Sequence, residues 1–188
     1  MTSLEPGWPR VVALPDGTRL AWAPLDARPR RDVSRGLLRM LLAESPCADQ
    51  LRDAPLAQRC AACGSATHGQ LRLDAPGAPL VSVSYAGGYA VTAVAPAGSA
   101  EFGIDAEPDT ELTRRAVAES LGWGAGHRPD RAVAEWTRLE AIAKARGTGL
   151  RGDWQHPRAD DFEVVTRALG APAYPLIVAV ARRPAPSN

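Results

Sequence analysis

Four side chains in the second half of the sequence are of types that can hold a cation or a phosphate: Asp105, Glu107, Glu140 and Lys144. The first two lie in residues 102–107, FGIDAE, which follow a Pro/Gly/Ser-bearing turn and read as a short strand. Residues two apart on a strand project to the same side. Carboxylates held that way repel each other unless a cation or a proton lies between them. Oxygen ligands without a neighbouring His or Cys suit a hard ion, Mg²⁺ or Mn²⁺, which completes its shell with water and substrate phosphates. The plainer alternative is a strand end running into solvent towards Pro108 and Asp109.

The other two charges occupy residues 136–150, WTRLEAIAKARGTGL. On a helix turning about 100° per residue, Val133, Trp136, Leu139 and Ala143 share an apolar sector. Glu140 falls inside that sector and Lys144 follows one turn later, whereas Arg138 points the opposite way. The pair is then either an ordinary i,i+4 ion pair, contributing only about 0.3–0.5 kcal/mol, or part of a polar site set against the core.

A third cluster is Cys60-x-x-Cys63 with His68. Two thiolates and an imidazole could supply three ligands of a Zn²⁺ site, with Cys47, His127 or His156 as the fourth. No second CxxC exists, and the alternative is that the cysteines pack as small apolar residues in a loop.

Taken together, Gly103-Ile104-Asp105-Ala106-Glu107 and the 136–150 segment, about thirty residues apart, resemble the paired motifs of the 4′-phosphopantetheinyl transferases of the large bacterial class: G-[IV]-D-x-E, then W-x-x-[x]-E-A-x-x-K-x-x-G-x-G-L. VSVSYAGGYAVTAV (81–94) is similar to the family's serine-rich strand and glycine turn, and CAACGSATHG (60–69) to a segment found just before it in some members. The resemblance covers about residues 30–150. It implies an α+β fold of two similar lobes related by a pseudo-twofold, with the active site between them. The N-terminal lobe would be residues 1–97 and the C-terminal lobe 98–188, the linker PAGSAE (96–101) marking the boundary.

The resemblance further implies transfer of 4′-phosphopantetheine from coenzyme A to a serine of an acyl or peptidyl carrier protein, with release of adenosine 3′,5′-bisphosphate. Asp105, Glu107 and Glu140 would hold one Mg²⁺ (or Mn²⁺). Glu140 would take the serine proton and Lys144 would meet the pyrophosphate. Arg30 would meet the coenzyme 3′-phosphate, with Arg39 at about the separation of a second family arginine. Ser84 and His68 are further candidates for coenzyme contacts. Three positions depart from the pattern. Tyr85 stands where many relatives have histidine, facing the coenzyme phosphates without a positive charge. Leu139 replaces a usual lysine, and Gln70-Leu71 a common Lys-Pro. Each lost charge-assisted bond weakens coenzyme binding by about 1.5 kcal/mol. The rival expectations are a noncatalytic paralogue that binds carrier protein or coenzyme A, and a Mg²⁺-dependent phosphohydrolase using the same carboxylates.

The elements that must position these groups follow from periodicity. Residues 11–14 and 19–25 read as a hairpin around Pro15-Asp16-Gly17-Thr18, and 33–45 as an amphipathic helix through Val33, Leu37, Leu38, Leu41 and Leu42. Residues 46–79, rich in Pro, Gly and Ala, read as irregular, and 80–94 as a strand pair bent at Gly87-Gly88. Helices follow over 111–121, capped by Asp109 or Thr110, and from Pro129 to about Arg146, stopped by Gly147; strands close the chain over 161–167 and 174–183. With 188 residues the chain can bury a real core, and a net charge of +1 gives no footprint for nucleic acid. The start MTSLEPGW carries no signal peptide, the longest apolar run is too short to span a bilayer, and three cysteines fit reduced thiols. The expectation is a soluble cytoplasmic protein with no membrane partner, for which a monomer suffices.

Overall fold

Alternation of apolar and small polar residues drives the first half into a four-stranded antiparallel sheet, seen in the computed structural model, which describes residues 8–45, 48–60, 63–66, 69–124, 128–149 and 161–186. Its strands are β1 (Arg10–Ala13), β2 (Arg19–Pro24), β5 (Val81–Ala86) and β6 (Tyr89–Val94), in the order β1-β2-β6-β5. Helix α1 (Arg30–Ala43) lies on one face, packing Leu37, Leu38, Leu41 and Leu42 against Ala21, Ala23, Ala90 and Val94. The helix begins three residues before the expected start, because Pro29 immediately precedes it and Arg30 to Asp32 continue its first turn.

The span 46–79 is not irregular throughout. It contains α2 (Ala48–Leu51) and an antiparallel hairpin of β3 (Leu56–Arg59) and β4 (Gln70–Leu73). These strands are only four residues long and lie ten residues apart in the sequence, too little for a periodic signal. Arg39 is also explained here: its guanidinium donates to the carbonyls of Leu51 (2.8 Å) and Ala54 (2.5 Å), fastening α1 to the end of α2.

A second antiparallel sheet, ordered β7-β9-β8, is built from β7 (Ser99–Pro108), β8 (Glu163–Leu169) and β9 (Leu176–Pro184). Helix α3 (Glu111–Ser120) starts at Thr110, whose hydroxyl accepts from the Thr113 amide, while Asp109 pairs with Arg114 instead. Helix α4 (Pro129–Arg146) ends where Gly147 takes the left-handed conformation at φ 72°.

Strand period fixes the layer order. Phe102, Ile104 and Ala106 of β7, with Val178 and Val180 of β9, join Leu20, Trp22 and Val91 of the first sheet in one core. The intervening residues, Gly103 and Asp105 on β7 and Ala179 and Ala181 on β9, fall on the opposite face, where Ala179 and Ala181 pack with Ala141, Ile142 and Ala145 of α4. The architecture is therefore α and β in four layers: α1, sheet, sheet, α4. The edges of the two sheets meet at β5 and β7, where the amides of Ile104 and Ala106 donate to the hydroxyls of Ser82 (3.0 Å) and Ser84 (3.2 Å). No helix among the described residues is long and apolar enough to cross a membrane.

Candidate active site

Glycine 103 sets the position of the acidic strand. A methyl group there would stand 2.4 Å from the Ala145 amide nitrogen and 2.5 Å from the Ala141 carbonyl oxygen. Only glycine admits so close an approach of helix backbone to strand. Two residues on and on the same face, Asp105 is buried (5% exposed) beneath α4. Lys144, one residue before Ala145, reaches its carboxylate: Nζ lies 2.6 Å from Asp105 Oδ1 and donates to Ser84 Oγ at 3.2 Å. Ser84 in turn donates to Asp105 Oδ1 at 2.9 Å.

Lys144 thus forms its ion pair across the helix–strand interface rather than with Glu140. Of the two expectations for the helix pair, the polar site set against the core describes the arrangement. Asp105 Oδ2, buried on the other side of the carboxylate, has no hydrogen-bond partner among the described residues. Glu107 and Glu140 are half-buried nearby. Burial first, then the Asp105 charge, pushes the Glu107 carboxyl up to about 7, against the opposing pull of Lys144. The same two causes raise Glu140. The three carboxylates, carried by two elements, are therefore coupled electrostatically. They are not drawn into a cage: no group of three or more His, Cys, Asp or Glu among the described residues is disposed to hold a metal ion. What the site does leave open is one buried carboxylate oxygen, Asp105 Oδ2, without a partner among the described residues.

Lys144 is also part of the wall of a cleft of about 440 Å³ between the first turn of α1, the β3–β4 hairpin, β5 and the end of α4. Arg30, Arg31 and Arg35 line the opposite side. The Arg30 guanidinium stands 5.1 Å from the centre of the Tyr85 ring, and the Tyr85 hydroxyl shares a 2.8 Å hydrogen bond with Ser34. Tyr85 supplies no charge of its own, but it holds an arginine that does. Four cations facing one cleft make a site for a polyanion.

The remaining sequence candidates divide clearly. Ser84 is buried and bonded to Asp105, Lys144 and the Ala106 amide, so it braces the acidic strand. Leu139 is buried and lines a separate groove with Leu121 and Arg131. Cys60 lines the cleft and Cys63 is exposed, neither in a disulfide. His68, Cys47, His127, His156 and Leu150 lie outside the described residues. Gln70, read from the sequence as a lost lysine, has a structural part: its amide donates to the carbonyl oxygen of Ala145 at 3.2 Å and approaches that of Lys144 at 3.4 Å. These are among the carbonyls a helix end leaves unpaired, and through them the hairpin closes the cleft over α4. The sequence marks Gln70 as a departure but carries no signal that its amide faces a helix C-terminus. Neither a scan against family models nor a search of curated proteins finds a match to this chain.

Proposed function

We propose that the protein transfers 4′-phosphopantetheine from coenzyme A to the serine hydroxyl of an acyl or peptidyl carrier protein. The observation that carries this reading is Lys144, which lines a cleft with Arg30, Arg31 and Arg35 and pairs with the buried Asp105 carboxylate. A basic cleft alone would suit any polyanion. A basic cleft whose lysine is paired with a buried aspartate, with two raised glutamate carboxyls coupled to that aspartate, suits a diphosphate that must be both held and cleaved.

In this reading the molecule works as two lobes, residues 1–97 and 98–188, that contribute opposite walls of one site. Arg30, seated on Tyr85, binds the terminal phosphate of the coenzyme, and Lys144 binds the diphosphate. The attacking serine oxygen forms a bond to phosphorus, the bond to the departing adenosine 3′,5′-bisphosphate breaks, and the serine proton passes to Glu140. Burial and the adjacent Asp105 raise the Glu140 carboxyl. Asp105, Glu107 and Glu140 are the residues that would hold Mg²⁺ or Mn²⁺. The ion, when bound, supplies charge neutralisation for the diphosphate. Ser84 keeps Asp105 oriented throughout.

Intact-mass analysis of apo carrier proteins incubated with the protein, coenzyme A and Mg²⁺ tests the reading. A gain of one phosphopantetheine, abolished by Glu140→Ala, is expected. No gain on any carrier would favour a noncatalytic binder, and free phosphopantetheine released without a carrier would favour a phosphohydrolase.

A further inference from the structure

We propose that Cys60 and Cys63 form a redox-active dithiol that reduces anionic small-molecule disulfides drawn into the arginine-lined cleft. In the sequence the pair is only a CxxC spacing; its placement comes from the backbone around it. The Cys60 carbonyl accepts from the Gly64 amide and the Cys60 amide donates to the Ser65 carbonyl, both at 2.9 Å. A methyl group at Gly69 would stand 2.5 Å from the Cys60 Cα, so the start of β4 presses directly on this turn. Cys63 lies inside the turn that the Gly64 amide closes. Four consecutive residues of a turn keep their outer Cα atoms within about 7 Å of each other. Roughly the same distance is the limit beyond which two cysteines cannot be bridged without moving the backbone.

The two thiols face different surroundings. Cys60 is half-buried and lines the cleft together with Arg30, Arg31 and Arg35, whereas Cys63 is exposed. The cations attract an anion that carries a disulfide towards Cys60. Thiol–disulfide exchange then runs in two steps. Cys60 gives up its proton and its Sγ attacks one ligand sulfur. A bond forms between Cys60 and that sulfur, the ligand's own S–S bond breaks, and the first half leaves as a thiolate. Cys63, deprotonated in turn, attacks the Cys60 sulfur; the mixed disulfide breaks, the second half leaves, and a Cys60–Cys63 disulfide remains. Two electrons pass from protein to ligand. The two protons shed by the cysteines balance those taken up by the two released thiolates. None of Asp105, Glu107 or Glu140 takes part, so the reaction stands or falls separately from phosphopantetheine transfer.

The test uses the full chain, reduced and then exposed to oxidised glutathione, with no coenzyme or carrier present. Labelling with N-ethylmaleimide in denaturant and peptide mapping read the outcome. A Cys60–Cys63 disulfide with label confined to Cys47 is expected, and Cys63→Ser is expected to stop at a glutathione adduct on Cys60. Cystamine, a cationic disulfide, is the control, each rate being divided by that of the neutral thiol 2-mercaptoethanol. On this scale oxidised glutathione should react about tenfold faster at low salt, the advantage fading as salt screens the cleft. Label on both Cys60 and Cys63, or a disulfide joining either to Cys47, overturns the dithiol. An adduct on any residue but Cys60 in Cys63→Ser overturns the order of attack, and equal scaled rates overturn the role of the cleft. The mapping and the rates need only the wild type, so they decide even where the serine variant fails to fold.

Discussion

The two helices that cover the sheets are packed in opposite ways. α1 presses four leucines onto alanines and valines of the first sheet, so bulky side chains fill the space between backbones. α4 meets the second sheet through Ala141 and Ala145, over Gly103 and beside Ala179 and Ala181, so the backbones themselves come close. The first interface is a cohesive core. The second is thin enough for a lysine on the helix to reach a carboxylate on the strand without leaving the interior. Bulky apolar side chains fill the space under α1, and the ion pair of Asp105 with Lys144 lies under α4.

This contrast can be broken from either side. The largest effect on stability is expected at the fully buried Leu38, where Leu38→Ala should cost about 2–5 kcal/mol in denaturant unfolding while the folded protein still binds coenzyme A. Gly103→Ala should cost about 1–3 kcal/mol by forcing α4 away from β7, and should abolish carrier modification in the protein that remains folded. Lys144→Met strands the buried Asp105 without its counterion. It should destabilise the metal-free protein by about 1–3 kcal/mol, less than for a fully buried pair because the lysine is one-third exposed, and Mg²⁺ should restore part of the loss.

A pH scan sharpens the comparison further. The Glu107 carboxyl rests at about 7 in the fold, against an ordinary value of 4.5. Between those values the folded state keeps a proton that the unfolded chain has released, so stability falls as pH rises through that window and levels off above it. The raised Glu140 acts in the same direction. Thermal unfolding of Glu107→Gln across the window should show a shallower slope than wild type, whereas Leu38→Ala should lower the whole curve without changing its slope. The smallest effect is expected at Tyr85→Leu, which removes the platform under Arg30. It should weaken coenzyme A binding by about 0.5–1 kcal/mol in calorimetry, and cost about 1 kcal/mol of stability through the lost hydrogen bond to Ser34.

Much of this was legible in the sequence. Leucine spacing gives α1, Pro129 and Gly147 bracket α4 at the observed bounds, and the period of two puts Asp105 and Glu107 on one side of β7. What could not be read is what lies across from each side chain. The helix wheel pairs Lys144 with Glu140, but only the close packing at Gly103 makes Asp105 the nearer partner. Tyr85 and Gln70 looked like losses because a sequence records the residue that is missing, not the arginine stacked on the phenol or the helix end facing the amide. The β3–β4 hairpin has no signature in the sequence because its four-residue strands are too short to show a period.

In the proposed function, the carboxylates around Lys144 and the arginine-lined cleft form a single site for a metal-bound diphosphate. Isothermal titration of coenzyme A with and without Mg²⁺ addresses it most directly. Binding that requires Mg²⁺ and is lost in Asp105→Asn is the predicted result; binding that ignores both the cation and the substitution would contradict it.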